Sequence, residues 1–276
     1  MKKLLLLSFL AVSSISLKAM DSFDKWDGED YKQNSQPQFV DAMEALSHYQ
    51  FHGNEQVLDV GCGDGKVTYE IARRLPNGAV DGFDYSASMV EKSRALYASV
   101  PNMSFRQLDA ALLDTQEDFD GKFDLAVSFV ALHWVPNQQR AFNGIFKALK
   151  PGGKVIITML GGRFPYVEQV MNSPKWHGSI SGGREHYFEK NAEQITPMLE
   201  QAGFQNIYAE VKLHPRNFPT ASALAAWLKT MVPSFSGFTN PEQINEFTQD
   251  IVSCAQARNL DWKTPILHVI AVKPVK

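Results

Sequence analysis

The chain has 276 residues, 44% of them hydrophobic and 21% charged, and a formal net charge of −3 at pH 7. Those proportions fit a single globular domain of enzyme size and exclude a low-complexity or fibrous chain. Two cysteines cannot build a disulfide framework, and no dense Lys/Arg run supplies the basic surface that nucleic acid would need as a main partner.

The first residues read as a leader. Met1-Lys2-Lys3 is a basic start, Leu4 to Val12 is apolar, and a small polar stretch ends at Leu17-Lys18-Ala19. This pattern predicts a signal peptide over 1–19, leaving one domain over 20–276 that is exported or periplasmic. Translation from Met20 would instead give a cytoplasmic product, and an uncleaved anchor is the other alternative. The apolar run is short for a membrane span, so none is expected in the mature chain. Loss of residues 1–19 takes the net charge from −3 to −6.

Beyond residue 50, apolar runs alternate with amphipathic ones. Strands are predicted over 57–60, 79–85, 103–108, 123–129 and 154–159, and helices over 66–75, 87–98 and 138–149. The third helix stops at Lys150-Pro151-Gly152-Gly153. Continuous apolar strands between such helices indicate a parallel sheet covered on both faces. Residues 161–190 lose the periodicity and read as an insertion. A helix over 193–202 closed by Gly203, a strand over 204–213, a helical and aromatic segment over 214–263 and a last strand over 265–273 complete the chain. The segments 161–190 and 214–263 are expected to form a helical cap.

VLDVGCGDGK, residues 57–66, places Gly61, Gly63 and Gly65 on alternate positions after an apolar strand. The dinucleotide fingerprint has its third glycine one residue later, and a Walker loop would need Ser or Thr after the lysine. Charge also argues against phosphate, because Asp59 and Asp64 would repel it. S-adenosyl-L-methionine reverses that argument: its ammonium and sulfonium suit a carboxylate, while its own carboxylate suits the N–H groups of the following helix. Asp84, about twenty residues on, is either the acceptor for both ribose hydroxyls or a turn residue. Asp109 either accepts from the adenine amino group or caps the next segment.

LDVGCGDG, GFDYSASMV, LDA, FDLAVSFVALHWV and LKPGGKVIIT, in that order, resemble the motifs of class I S-adenosylmethionine-dependent methyltransferases. The resemblance implies an α/β fold, with a seven-stranded, mostly parallel Rossmann-like sheet and an antiparallel last strand. It puts Asp59, Gly61, Gly63 and Gly65 around the methionine part, Asp84 on the ribose, and Asp109 with Ala110 on the adenine. Tyr85 and Ser128, within the same motifs, join the cofactor set.

SFVALHWVPNQQRAF and the upstream WDGEDYKQNSQPQF are similar to segments of trans-aconitate methyltransferase-like and juvenile hormone acid methyltransferase-like proteins, matching at Tyr31, Ser35, Gln38, His133 and Trp134. That implies O-methylation of a small-molecule carboxylate. Such an acceptor is ionised at neutral pH and needs no base, only alignment and exclusion of water. Trp134 and Gln38 are each either a donor to the carboxylate or an ordinary core or surface residue. His133 is the opposing signal, because a neutral imidazole could deprotonate a hydroxyl or carbon acceptor. A non-catalytic exported S-adenosylmethionine-binding protein is the alternative of another class. The seven histidines and two cysteines show no metal-ligand spacing, so no metal is expected.

Overall fold

A computed structural model describes residues 36–180 and 189–275. The predicted leader over 1–19, together with Tyr31 and Ser35, lies outside the described residues.

The chain opens with helix α1 (Gln36–Leu46) and then alternates β1 (Gln56–Val60), α2 (Lys66–Ala72), β2 (Ala79–Asp84), α3 (Ala87–Leu96), β3 (Met103–Gln107), β4 (Phe123–Phe129), α4 (Gln138–Ala148) and β5 (Leu149–Leu160). It continues through α5 (Pro165–Met171), α6 (Ala192–Ala202), β6 (Gln205–Arg216), α7 (Ala221–Ser236), α8 (Pro241–Gln256) and β7 (Trp262–Val272). The strands form one seven-stranded sheet in the order β3-β2-β1-β4-β5-β7-β6. Only β7 runs against its neighbours, pairing antiparallel with both β5 and β6. The chain winds outward from β1 to β3 and then crosses back to β4, so the switch in strand order falls between β1 and β4. Ligands of such sheets bind outside the carboxyl ends of the strands at that switch.

Period-two alternation assigns the buried side chains to opposite faces. Val57, Leu125, Val127 and Ile156 pack against Ala45 and Leu46 of α1 and Ile71 of α2. Leu58, Ala126, Val155 and Ile157 point the other way, onto Phe142 and Ile145 of α4 and Ile195 and Leu199 of α6. A further cluster gathers α5, α7 and α8 around Trp262 at the start of β7, with Phe164 and Trp227 each under 6 Å from its ring.

Three stretches differ from the expectation. The Lys150-Pro151-Gly152-Gly153 stop is part of β5: the register shifts between Phe123 and Leu125 of β4, and Gly152 N–H donates to Lys273 O (2.8 Å). Residues 165–171 form α5 because Pro165 starts it at the first helical position, where a missing N–H costs nothing. The helical segment expected from 214 to 263 begins later and ends earlier, since His214 and Arg216 extend β6 by pairing with Thr264 and Trp262. Gly203 does close its helix, at φ 106°.

Candidate active site

The glycines after β1 occupy left-handed backbone, with φ of 76° at Gly61, 55° at Gly63 and 80° at Gly65. Three such residues on alternate positions curl the chain tightly, and L side chains rarely adopt that conformation. Gly61 carries a second constraint. A Cβ there would lie 2.3 Å from Ala131 Cβ, so the end of β1 touches the turn after β4 directly. Both Gly61 N–H and Cys62 N–H donate to Phe83 O, which binds the loop to β2 (2.8 and 3.0 Å).

Two carboxylates flank this loop, Asp59 buried and Asp84 half-buried. Asp59 is 2% exposed and accepts from Thr68 Oγ1 at 2.6 Å. Burial pushes its pKa up to about 7, the Thr68 bond opposes the rise, and the charge of Asp84 adds to it. Asp84, at the end of β2, accepts from Gly63 N–H through Oδ2 and from Ser86 N–H through Oδ1, each at 2.9 Å. Burial raises its pKa as well, against those backbone donors. Each carboxylate oxygen offers more than one lone pair, so these bonds leave acceptor capacity for a ligand. Burial and neighbouring carboxylates also push the Cys62 thiol up, which makes it a packing group rather than a nucleophile.

A cleft opens here, lined by Gln38 and Phe39 of α1, Asp59, Gly61, Asp64, Lys66 and Phe129. It thus joins Gln38 to the loop acids, a juxtaposition of residues more than twenty apart in sequence. Phe39 is a member that sequence reasoning missed; Lys66 Nζ sits 4.3 Å from its ring centroid, a contact with no local sequence signal. Asp64 Oδ1 accepts from Lys66 N–H (3.2 Å) at the start of α2.

The remaining candidates are not among the residues that line this cleft. Asp109 accepts from Ala111 N–H (2.8 Å), capping the short 3-10 turn Ala110–Thr115. Ala110 is buried beside it, and Tyr85 O accepts from Gln107 Nε2 (3.0 Å). Ser128 is wholly buried and donates to Val60 O (2.8 Å), tying β4 to β1.

The turn after β4 is strained. Val130 has φ 55°, a true outlier for a β-branched side chain, and its N–H donates to Thr158 O at 2.8 Å. This reversal sets Ala131 against Gly61 and leads into the 3-10 turn Leu132–Trp134. His133 is 1% exposed there, and burial pulls its pKa down to about 3. Trp134 is half-buried, its ring 5.2 Å from that of His133.

This arrangement has close relatives in sequence. Trans-aconitate 2-methyltransferase of Deinococcus radiodurans is 27% identical over 76% of this chain and 83% of its own. Juvenile hormone acid O-methyltransferase of Bombyx mori is 27% identical over 83% of this chain and 86% of its own. Among solved structures, Haemonchus contortus phosphoethanolamine N-methyltransferase 2 in complex with S-adenosyl-L-methionine superposes with a TM-score of 0.61 at 20% identity, over 90% of this chain. The chain spans 56% of that structure, and the likeness is one of fold. The profile of the family described as methyltransferase domain matches residues 51–203, from the approach to β1 through the cap of α6. The match takes in the glycine loop, both flanking acids and the strained turn, and the chain therefore belongs to the methyltransferase-domain family and is a methyltransferase.

Proposed function

We propose that this enzyme transfers the methyl group of S-adenosyl-L-methionine to a carboxylate oxygen of a small molecule. In this reading the glycine loop holds the methionine part, with Asp59 beside its cations. Asp84 accepts from the ribose hydroxyls and Asp109 lies toward the adenine. The names of two relatives, trans-aconitate 2-methyltransferase and juvenile hormone acid O-methyltransferase, support an acid as acceptor.

The observation that carries the reading is the state of His133. A hydroxyl or carbon acceptor must lose a proton, and the imidazole was the base offered for it. Burial leaves that imidazole neutral with a pKa of about 3, far too weak a base for the task. A carboxylate arrives deprotonated. What the protein then supplies is alignment, for which the Trp134 indole N–H and the Gln38 amide N–H are the proposed donors.

The test is turnover with labelled cofactor against small carboxylic acids and their matched alcohols. Trp134→Phe keeps the ring and removes the N–H. It is expected to lower kcat/KM for the acceptor by roughly ten- to a hundredfold if the bond contributes about 1.5–3 kcal/mol. His133→Ala is expected to cost less, and the rate at saturating cofactor to stay flat above the pKa of the acid. Turnover of the alcohols alone, with the opposite order of the two variants, would overturn the carboxylate assignment.

A further inference from the structure

About one turn along α1 from Gln38 and Phe39, the helix meets the β6–β7 edge through a buried cluster of ionisable side chains that are not part of the cleft's lining. Asp41 of α1 is almost fully buried. Its Oδ1 receives His214 Nδ1 at 2.8 Å and Arg216 Nη1 at 2.9 Å, and its Oδ2 pairs with Arg216 Nη2. His214 and Arg216 lie two apart on β6 and so share a sheet face. The other nitrogen of His214, Nε2, faces His268 Nε2 of β7 at 2.9 Å. Glu44, three residues beyond Asp41 on α1, brings its carboxylate to 3.8 Å from His214 Nδ1, the nitrogen that bonds Asp41, so its side chain must turn toward Nε2 to share a ligand with it. One ligand atom from each of Glu44, His214 and His268 falls within 4.8 Å of the others.

We propose that Glu44, His214 and His268 form a binding site for a divalent transition-metal ion of the Zn2+ type, separate from the methyl-transfer cleft. Two imidazole nitrogens and one carboxylate oxygen are a donor set suited to Zn2+, with a water completing four-coordination. Asp41 supports it as a carboxylate behind a metal-bound imidazole does: by accepting from His214 Nδ1–H it fixes the tautomer and turns the Nε2 lone pair toward His268. Coordination requires His268 to carry its proton on Nδ1, so that both Nε2 atoms offer lone pairs. At Zn–N distances of about 2.0–2.1 Å, the two nitrogens would stand roughly 3.3 Å apart, a few tenths of an ångström from where they are. Glu44 is the mobile partner, its side chain 45% exposed and able to swing in from solvent.

The cations around the cluster set a limit rather than a veto. Arg216 is neutralised by Asp41, and Lys212, whose charge bears on His268, pairs with Glu210 at 4.0 Å. Ligands separated by some 170 residues explain why spacing in the sequence gives no hint of a site. A bound ion would staple α1, and with it Gln38 and Phe39 of the cleft, onto the β6–β7 edge.

The experiment is titration of the untagged full chain with Co2+, followed by its visible ligand-field absorption, with Zn2+ as competitor. One equivalent should bind with the spectrum of a four-coordinate site and be displaced by Zn2+. Glu44→Gln, at an exposed position that leaves the fold intact, should weaken Co2+ binding at least about tenfold, and His268→Asn should abolish it. Each variant is checked by circular dichroism, and Glu44→Gln alone decides the matter if His268→Asn does not fold. No binding below millimolar Co2+, or affinity unchanged by Glu44→Gln, would overturn the proposal.

Discussion

In the proposed site, the buried Asp59 makes cofactor binding a titration. With its pKa near 7, about one molecule in eleven carries the carboxylate at pH 6, and about three in four at pH 7.5. If the carboxylate is the form that holds the cationic methionine part, affinity for S-adenosyl-L-methionine should rise about eightfold between those pH values. The same shift has a cost in the ligand-free protein. An acid raised from 3.8 to about 7 is protonated in the folded chain and ionised in the unfolded one between those values. Stability therefore falls as pH climbs from 4 to 7, by about 4 kcal/mol at most for this one group, and stays reduced above 7. A bound cation offsets that loss. Calorimetry at pH 6 and 7.5, in two buffers of different ionisation enthalpy, reads both affinity and proton release. 5′-Methylthioadenosine, which lacks both cations, should show little pH dependence. Equal affinity for S-adenosyl-L-methionine at the two pH values, with no proton released, would refute the assignment of Asp59.

Thr68→Val removes a donor to the ionised form of Asp59, so the midpoint of that pH dependence should move upward; a downward move contradicts the geometry. Gly61→Ala forces an L side chain into φ 76° and against Ala131 Cβ, and should lower stability by about 1–3 kcal/mol or more, read as a melting shift of several degrees. Val130→Gly should leave melting within a few degrees of the parent. Relief of left-handed strain, about 1–2 kcal/mol, roughly offsets the added chain entropy and lost contacts. If the strained turn positions Trp134, kcat/KM for the acceptor should drop all the same.

The sheet was legible because its central strands carry one kind of signal. Val57–Val60 and Phe123–Phe129 are buried on both faces and so read as mainly apolar runs, broken only by Asp59, Asp124 and Ser128. The outer region was harder, because there the signals come from partners far along the chain. Lys212, His214 and Arg216 alternate like a strand but are polar, and what holds the last two inside is Asp41, 173 and 175 residues away. The tight turn after β1 was readable because the left-handed conformation demands glycine locally. Phe39 and Phe129 were not, since a cleft wall contributed by a separate helix or a strand end leaves no periodic trace. Nor does any pattern near Val130 announce its positive φ, which goes with its N–H bond to Thr158 O and with the seating of Ala131 against Gly61.

In the proposed reaction, burial does opposite things to the acids and to the imidazole, and both serve a cationic donor. Burial destabilises whichever form carries charge, so it raises Asp59 and Asp84 and lowers His133. The acids can recover their charge when a sulfonium and an ammonium arrive, because a cation is the partner they lack. His133 gains nothing from the same ligand: a protonated imidazole near a sulfonium would repel it, and so it stays neutral throughout the cycle. The site thus presents negative charge that appears on cofactor binding, an imidazole that stays neutral, and Lys66 as a cation in its described lining. Such a site favours an anionic nucleophile only if discrete donors hold it against the nearby acids. That requirement puts Trp134 and Gln38, rather than His133, at the centre of acceptor recognition.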